Sequence, residues 1–165
     1  MLRIDGECVP LGLSDVPVDV PVDRVVRAAS LASAVRRHDL VVDLRTAAWV
    51  HGADPVLPRP LTLAVDLASA RRTKLVRPAP REVRFRPDDL ERLGGVLVTT
   101  PLKTAFDLLR LGVDTDPDAE SETETIAARL VRGAGLSPPI AAALAQLQPG
   151  CPHKQRGIDR LAALR

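Results

Sequence analysis

The hydrophobic positions along this chain change period several times, and each change marks a predicted element. Val25, Val26, Ala29, Leu31, Ala32 and Val35 recur at helical spacing behind Asp23, an N-cap residue type, and Arg36, Arg37 and His38 follow where positive charge suits a helix C-terminus. Leu40-Val41-Val42 is a short apolar run of strand type, after which Ala47, Ala48 and Trp49 suit a helix and Gly52 its left-handed cap. The prolines of Asp54-Pro55-Val56-Leu57-Pro58-Arg59-Pro60 predict an extended connection. Leu61 to Leu67 alternates with period two, and so does Glu82-Val83-Arg84-Phe85-Arg86, which predicts strands with Val83 and Phe85 on one face and Arg84 and Arg86 on the other. Pro87 to Glu91 reads as a turn or a single helical turn, and Val96-Leu97-Val98 as a third strand behind Gly94-Gly95.

The second half reads as helical. Thr100 before Pro101 is a start signal, because a hydroxyl can take a free backbone amide while proline at the first position removes one that has no partner. Leu102, Ala105, Phe106, Leu108 and Leu109 supply the apolar stripe and Gly112 the end. Thr123 to Arg132 predicts a further helix, Ser137-Pro138 opens one carrying Ile140, Leu144 and Leu147, and Arg156 to Leu164 forms the last. Residues 1–22, with Pro10, Pro17 and Pro21, read as an extended arm with room for a short edge strand. The expected fold class is α/β of the α+β type: a small mixed or antiparallel sheet packed with helices, as one domain over residues 23–165 whose helical portion begins near 119.

Composition narrows the function classes. The 165 residues are 45% hydrophobic and 27% charged, as in a globular domain, but only 2% aromatic, so Val, Leu, Ala and Ile must build the core and Trp49 stands out. Cys8 and Cys151 form no CxxC or Cys/His cluster with metal-ligand spacing. The first residues lack the apolar core of a signal peptide and no membrane-spanning run follows, which predicts a cytoplasmic location and no membrane partner.

A net charge of +2 conceals strong segregation. Arg71, Arg72, Lys74, Arg77, Arg84 and Arg86 form a basic stretch, taken as the candidate surface for nucleic acid or a protein partner, although aromatic stacking partners are missing. The acidic stretch from Asp114 to Glu124 lacks the glycine and terminal Glu of a calcium loop and reads as a solvated helix start. Phosphate-loop and nucleophile-elbow glycine patterns are absent, and His51 reads as a capping or packing residue ahead of a base partnered by Asp43 or Asp54. No catalytic, cofactor-binding or metal residues are assigned, and no cofactor or small-molecule substrate is expected.

The order of segments carries more information than any one of them. Arg45-Thr46-Ala47-Ala48-Trp49-Val50-His51-Gly52, a proline-rich gap, an alternating strand, an arginine-rich strand, and Val96 through Thr99-Thr100-Pro101-Leu102-Lys103-Thr104-Ala105-Phe106-Asp107 to Arg110 together resemble the AbiEi family of type IV toxin–antitoxin antitoxins. The likeness spans about residues 24 to 165, including Lys154-Gln155-Arg156-Gly157-Ile158-Asp159-Arg160, which is similar to the family's Arg-Gly-centred segment. It implies a non-catalytic regulatory protein of bacterial defence that neutralises a nucleotidyltransferase-type toxin or modulates transcription, so that a cognate toxin and DNA are the candidate partners. The usual winged helix-turn-helix and any endonuclease-like domain are expected to be missing. The competing reading is an orphan or truncated relative acting as an interaction module, or a defence protein that has lost a nuclease. Among positions matching the motifs, Thr46, His51, Pro101 and Thr104 are expected to be structural, Thr100 a cap, Trp49 a core or interface anchor, and Arg45 and Asp107 internal polar partners.

Overall fold

A computed structural model of the chain describes residues 6–36, 39–68, 80–112 and 117–165. Its elements in chain order are β1 (Cys8–Leu11), β2 (Ser14–Pro17), α1 (Arg24–Ala29), β3 (Leu40–Val42), α2 (Leu44–Val50), β4 (Leu63–Asp66), β5 (Arg81–Val83), a 3-10 turn (Pro87–Asp89), β6 (Leu90–Leu93), β7 (Val96–Thr99), α3 (Pro101–Leu111), α4 (Pro117–Gly133), α5 (Pro138–Gln146) and α6 (Lys154–Ala163). The fold is mixed α/β with a helical C-terminal half, as expected.

Five strands form one sheet in the order β5-β4-β3-β7-β6. The central pair β3–β7 is parallel, with Val41 opposite Leu97 and Val42 opposite Val98. β4 runs antiparallel to β3, β5 parallel to β4, and β6 antiparallel to β7. The predicted arm is a separate hairpin, β1 paired with β2. Its turn lies against the domain: a Cβ on Gly12 would stand 2.3 Å from Ser30 Oγ and 3.1 Å from the Trp49 ring.

Alternation divides the sheet as the pleat requires. Leu40, Val42, Val96 and Val98 face α1 and α2, where Leu31, Ala47, Trp49 and Val50 complete a buried layer. Val41, Ala64 and Phe85, flanked by Val83, Leu90 and Leu97, form a smaller cluster. A third core joins Ala48 and Ala53 to α3, α4, α5 and α6 around Phe106, Leu109, Ile126, Leu130 and Leu161. The alanines of α2 thus contact two cores at once, since a methyl side chain lets neighbours approach on either side.

Several boundaries differ from expectation. α1 stops at Ala29 and turns follow, so Leu31 and Val35 enter the core from turn and loop backbone. β6 replaces part of the predicted turn; with Glu91 and Arg92 at its centre it lacks an alternating signature, yet it pairs with β7 at the sheet edge. On α5 the buried face is Ala141, Ala142 and Ala145, while Ile140, Leu144 and Leu147 are exposed. Small residues won that contact because α5 packs closely on α6. Among the described residues, no helix is long and apolar enough to cross a membrane.

Candidate functional site

Parallel neighbours β3 and β7 deliver two helices from the same end of the sheet, where open α/β sheets place their ligand crevices. Asp43 follows β3 and caps α2: its Oδ1 accepts from Leu44 N at 2.7 Å, and Leu44 takes a positive φ of 47° at the bend. Across β7, Thr100 occupies the N-cap position of α3 ahead of Pro101, but its side chain makes no cap bond, which corrects the predicted role. The α3 junction is instead held by Thr104, whose Oγ1 lies 2.7 Å from Thr99 Oγ1 and 2.9 Å from the Thr100 carbonyl. Thr100 N donates to the Asp89 carbonyl at 2.9 Å.

One turn into α3 the spacing Lys103, Asp107, Arg110 places a carboxylate between two cations. Asp107 Oδ1 accepts from Lys103 Nζ at 3.1 Å and from Arg110 Nε at 2.6 Å, and its Oδ2 from Arg81 Nη2 at 3.1 Å. Arg81, at the start of β5, also bonds Asp43 through the same Nη2. A single guanidinium therefore ties together the carboxylates of both strand-to-helix junctions. Burial alone would raise the Asp107 pKa, but the charges of Lys103 and Arg110 outweigh it and hold the carboxyl below its ordinary range. For Asp43 burial prevails over Arg81 and the pKa is raised. Burial lowers the affinity of Arg81 for its proton, yet the two carboxylates more than restore it.

Beside this cluster lies a cleft of about 680 Å³. One wall is β5 and the segment after it, including Arg84, Phe85 and Arg86; the floor is Lys103 and Arg110 of α3; the opposite wall is the α5–α6 connection from Gln148 to Pro152. That connection is fastened across the cleft. Gln148 Nε2 donates to Asp89 Oδ1 at 2.7 Å, Arg86 Nη1 to the Leu147 carbonyl at 3.1 Å, and Arg110 Nη1 to the Pro152 carbonyl at 3.1 Å.

Of the predicted binding residues, Arg84 and Arg86 line this cleft. Arg84 is exposed, whereas Arg86 is partly covered and spends its side chain on Leu147 and on Asp88 at 3.7 Å. Arg71, Arg72, Lys74 and Arg77 lie outside the described residues. The sequence reading missed Arg81, Lys103 and Arg110 as a group, because they are brought together from β5 and α3; the Lys103-Asp107-Arg110 spacing, with one partner four residues away and the other three, was the available signal.

The polar motif residues bond within the fold. Arg45 pairs with Asp54 at 2.6 Å and Glu122 at 2.9 Å, and not with Asp107. Thr46 and Thr62 exchange hydrogen bonds: Thr46 N donates to Thr62 Oγ1 at 2.9 Å and Thr62 N to Thr46 Oγ1 at 2.7 Å. Trp49 is 4% exposed, with the Arg27 guanidinium 5.1 Å from the ring centroid. His51 caps α2 and its Nε2 donates to the Thr99 carbonyl at 2.8 Å, so the ring carries its proton there; Nδ1 is buried without a partner among the described residues. Burial holds this histidine below its usual pKa, against the opposing pull of the Thr99 carbonyl and Glu91. Within the segment centred on Arg156-Gly157, Arg156 Nη2 donates to the Gly112 carbonyl at 2.8 Å and Arg160 Nη1 to the Leu109 carbonyl at 3.3 Å, so α6 satisfies the free end of α3. Gly157 admits this approach: a Cβ there would stand 2.8 Å from Phe106 and Arg110.

Cys8 and Cys151 are both free thiols. Among the described residues no three His, Cys, Asp or Glu side chains gather as a metal-ligand set. The fold and cleft thus define a mixed α/β domain with a cation-lined crevice above a buried ionic cluster. No family model, curated protein or solved structure matches the chain.

Proposed function

We propose that this protein is a non-catalytic regulatory domain of the AbiEi antitoxin type, which neutralises a nucleotidyltransferase-type toxin by binding it. The observation supporting this reading is where the family-like segments direct their polar groups. Arg45, Thr46, His51, Thr104 and Asp107 all bond within the fold. A general base or nucleophile must reach a reacting atom, whereas these groups tie α2 and α3 to the strands, loops and helix around them. The surface left for a partner includes exposed Ile140, Leu144 and Leu147 on and after α5, and exposed Arg84 in the cleft that the Arg86–Leu147 bond helps to close.

Co-expression with a nucleotidyltransferase toxin encoded next to this gene tests the reading. Wild type is expected to restore growth, and Leu144→Asp with Leu147→Asp to lose that rescue while remaining folded, because both positions are exposed. If no toxin-like gene lies adjacent and no toxicity is relieved, the reading fails and the orphan interaction module takes its place.

A second reading, modulation of transcription through DNA, is favoured by one observation: Arg84 is exposed and has no ion-pair partner among the described residues. Duplex binding would be steeply salt-dependent and abolished in Arg84→Glu with Arg86→Glu. An unchanged mobility shift in that double variant, or no shift at low salt, removes DNA from the partners.

A further inference from the structure

Buried donors in excess of their acceptors mark the floor of the 680 Å³ cleft. Lys103 is 7% exposed at its side chain, yet among the described residues its ammonium makes one hydrogen bond, to Asp107. An ammonium carries three N–H donors; one is on Asp107 and the group also lies over the Phe106 ring, 5.5 Å from its centroid, which leaves donor capacity for the cleft it lines. Arg81, also in the lining and 28% exposed at its side chain, spends only Nη2 on Asp43 and Asp107, which leaves its Nη1 donors without a partner among the described residues. Their carboxylate partners do not cancel the charge: Arg81, Lys103 and Arg110 stand against Asp43 and Asp107, leaving one positive charge at the floor. At the rim Arg84 and Arg86 are set against Glu82 and Asp89, and Asp89 is already engaged by Gln148 Nε2 and Arg86 N. Unfilled buried donors in a cationic surrounding are costly unless an anion meets them.

The rest of the lining is apolar. Phe85, Leu111, Pro149 and Pro152 form walls suited to the flat organic part of a ligand, and the volume lies within the range of small-molecule sites. We infer that this cleft binds a phosphate monoester of mononucleotide size, with the phosphate oxygens on Lys103 and Arg81 and the organic group against the Phe85 and Pro149–Pro152 walls. A phosphate brings close to two negative charges and three acceptor oxygens, matching what the floor lacks. Resting on the non-catalytic reading above, the ligand's role is to occupy and brace the seam between β5 and the α5–α6 connection.

Calorimetry of the whole chain at low salt with AMP, inorganic phosphate and adenosine tests this. AMP is expected to bind, more tightly than phosphate, and adenosine not to bind. Gly150 lies in the α5–α6 wall, has no positive φ, and a Cβ there meets nothing within 4 Å, so Gly150→Glu adds a carboxylate to that wall without disturbing the backbone. It should weaken AMP binding about tenfold or more, with Arg84→Ala as a milder companion and far-UV circular dichroism confirming both folds. No AMP binding by wild type, AMP no tighter than phosphate, or equal affinity in Gly150→Glu would each overturn the inference. These outcomes are separate from toxin rescue, which does not require the cleft to be filled.

Discussion

The two strand-to-helix junctions at the end of the parallel pair solve the same problem differently. After β3 the chain places a charged cap, Asp43, immediately before the helix and takes a positive φ at Leu44 to make the bend. After β7 the junction is neutral: Pro101 removes an amide, Thr104 reaches back to the Thr100 carbonyl, and the charge is deferred to Asp107, a turn further on. Arg81 then binds both carboxylates. The difference shows where the load lies. Asp43 serves one helix end and shares a cation that is 28% exposed, whereas Asp107, fully buried, is the anion for two buried cations as well.

That asymmetry predicts a ranking. Asp107→Asn removes the counter-ion of Lys103 and Arg110 inside the protein, and a loss of about 3–5 kcal/mol is expected in urea denaturation, since breaking one side of a buried pair strands the other. Asp43→Asn should lose less, about 1–2 kcal/mol, because the amide still accepts from Leu44 N and Arg81 retains Asp107. Equal losses would break the comparison. Between the threonines, Thr104→Val should destabilise by about 1–2 kcal/mol and Thr100→Ala by less than about 0.5 kcal/mol, because the second side chain makes no cap bond.

The smallest effect joins the two junctions through His51, which caps α2 and bonds Thr99 at the end of β7. Unfolded, it titrates near the ordinary 6.5; folded, burial lowers that value. The unfolded chain therefore takes up the proton first as pH falls, and stability declines below about pH 6.5. His51→Gln should flatten this slope between pH 7.5 and 5.5 in thermal melts, and an unchanged slope would remove His51 as its source.

Much of this scaffold is legible in the sequence because its signals are local. Thr100-Pro101, the apolar stripe through Leu109, and Gly112 mark α3 from one short stretch of chain, and Gly52 marks the end of α2 with a φ of 76°. Only the reason for the Thr100 signal was different: the proline and Thr104 act, not the Thr100 hydroxyl. β6 was not legible because an edge strand carrying Glu91 and Arg92 needs no second apolar face. Nor was the α5 orientation, since a stripe of Ile140, Leu144 and Leu147 has the right period and the wrong destination; which face is buried is decided by how closely α6 approaches. The site was half legible. Alternation from Glu82 to Arg86 points to a cationic face, although β5 ends at Val83 and Arg84 to Arg86 follow it outside the strand; Lys103 and Arg110 enter the same cleft from a helix whose pattern speaks of core, and only the folded sheet brings them to Arg81.

Trp49 gives these experiments a consequence for spectroscopy. It is the chain's one tryptophan, there is no tyrosine, and the ring sits between Arg27 and the turn of the N-terminal hairpin at Gly12. Intrinsic fluorescence is therefore a local gauge of the α2 and hairpin side, while α3 to α6 are silent in emission and dominate the helical dichroism. Monitoring one unfolding transition by both signals separates the two halves without any label: coincident curves mean that they form one cooperative unit, and a displaced emission curve means that the hairpin side melts independently.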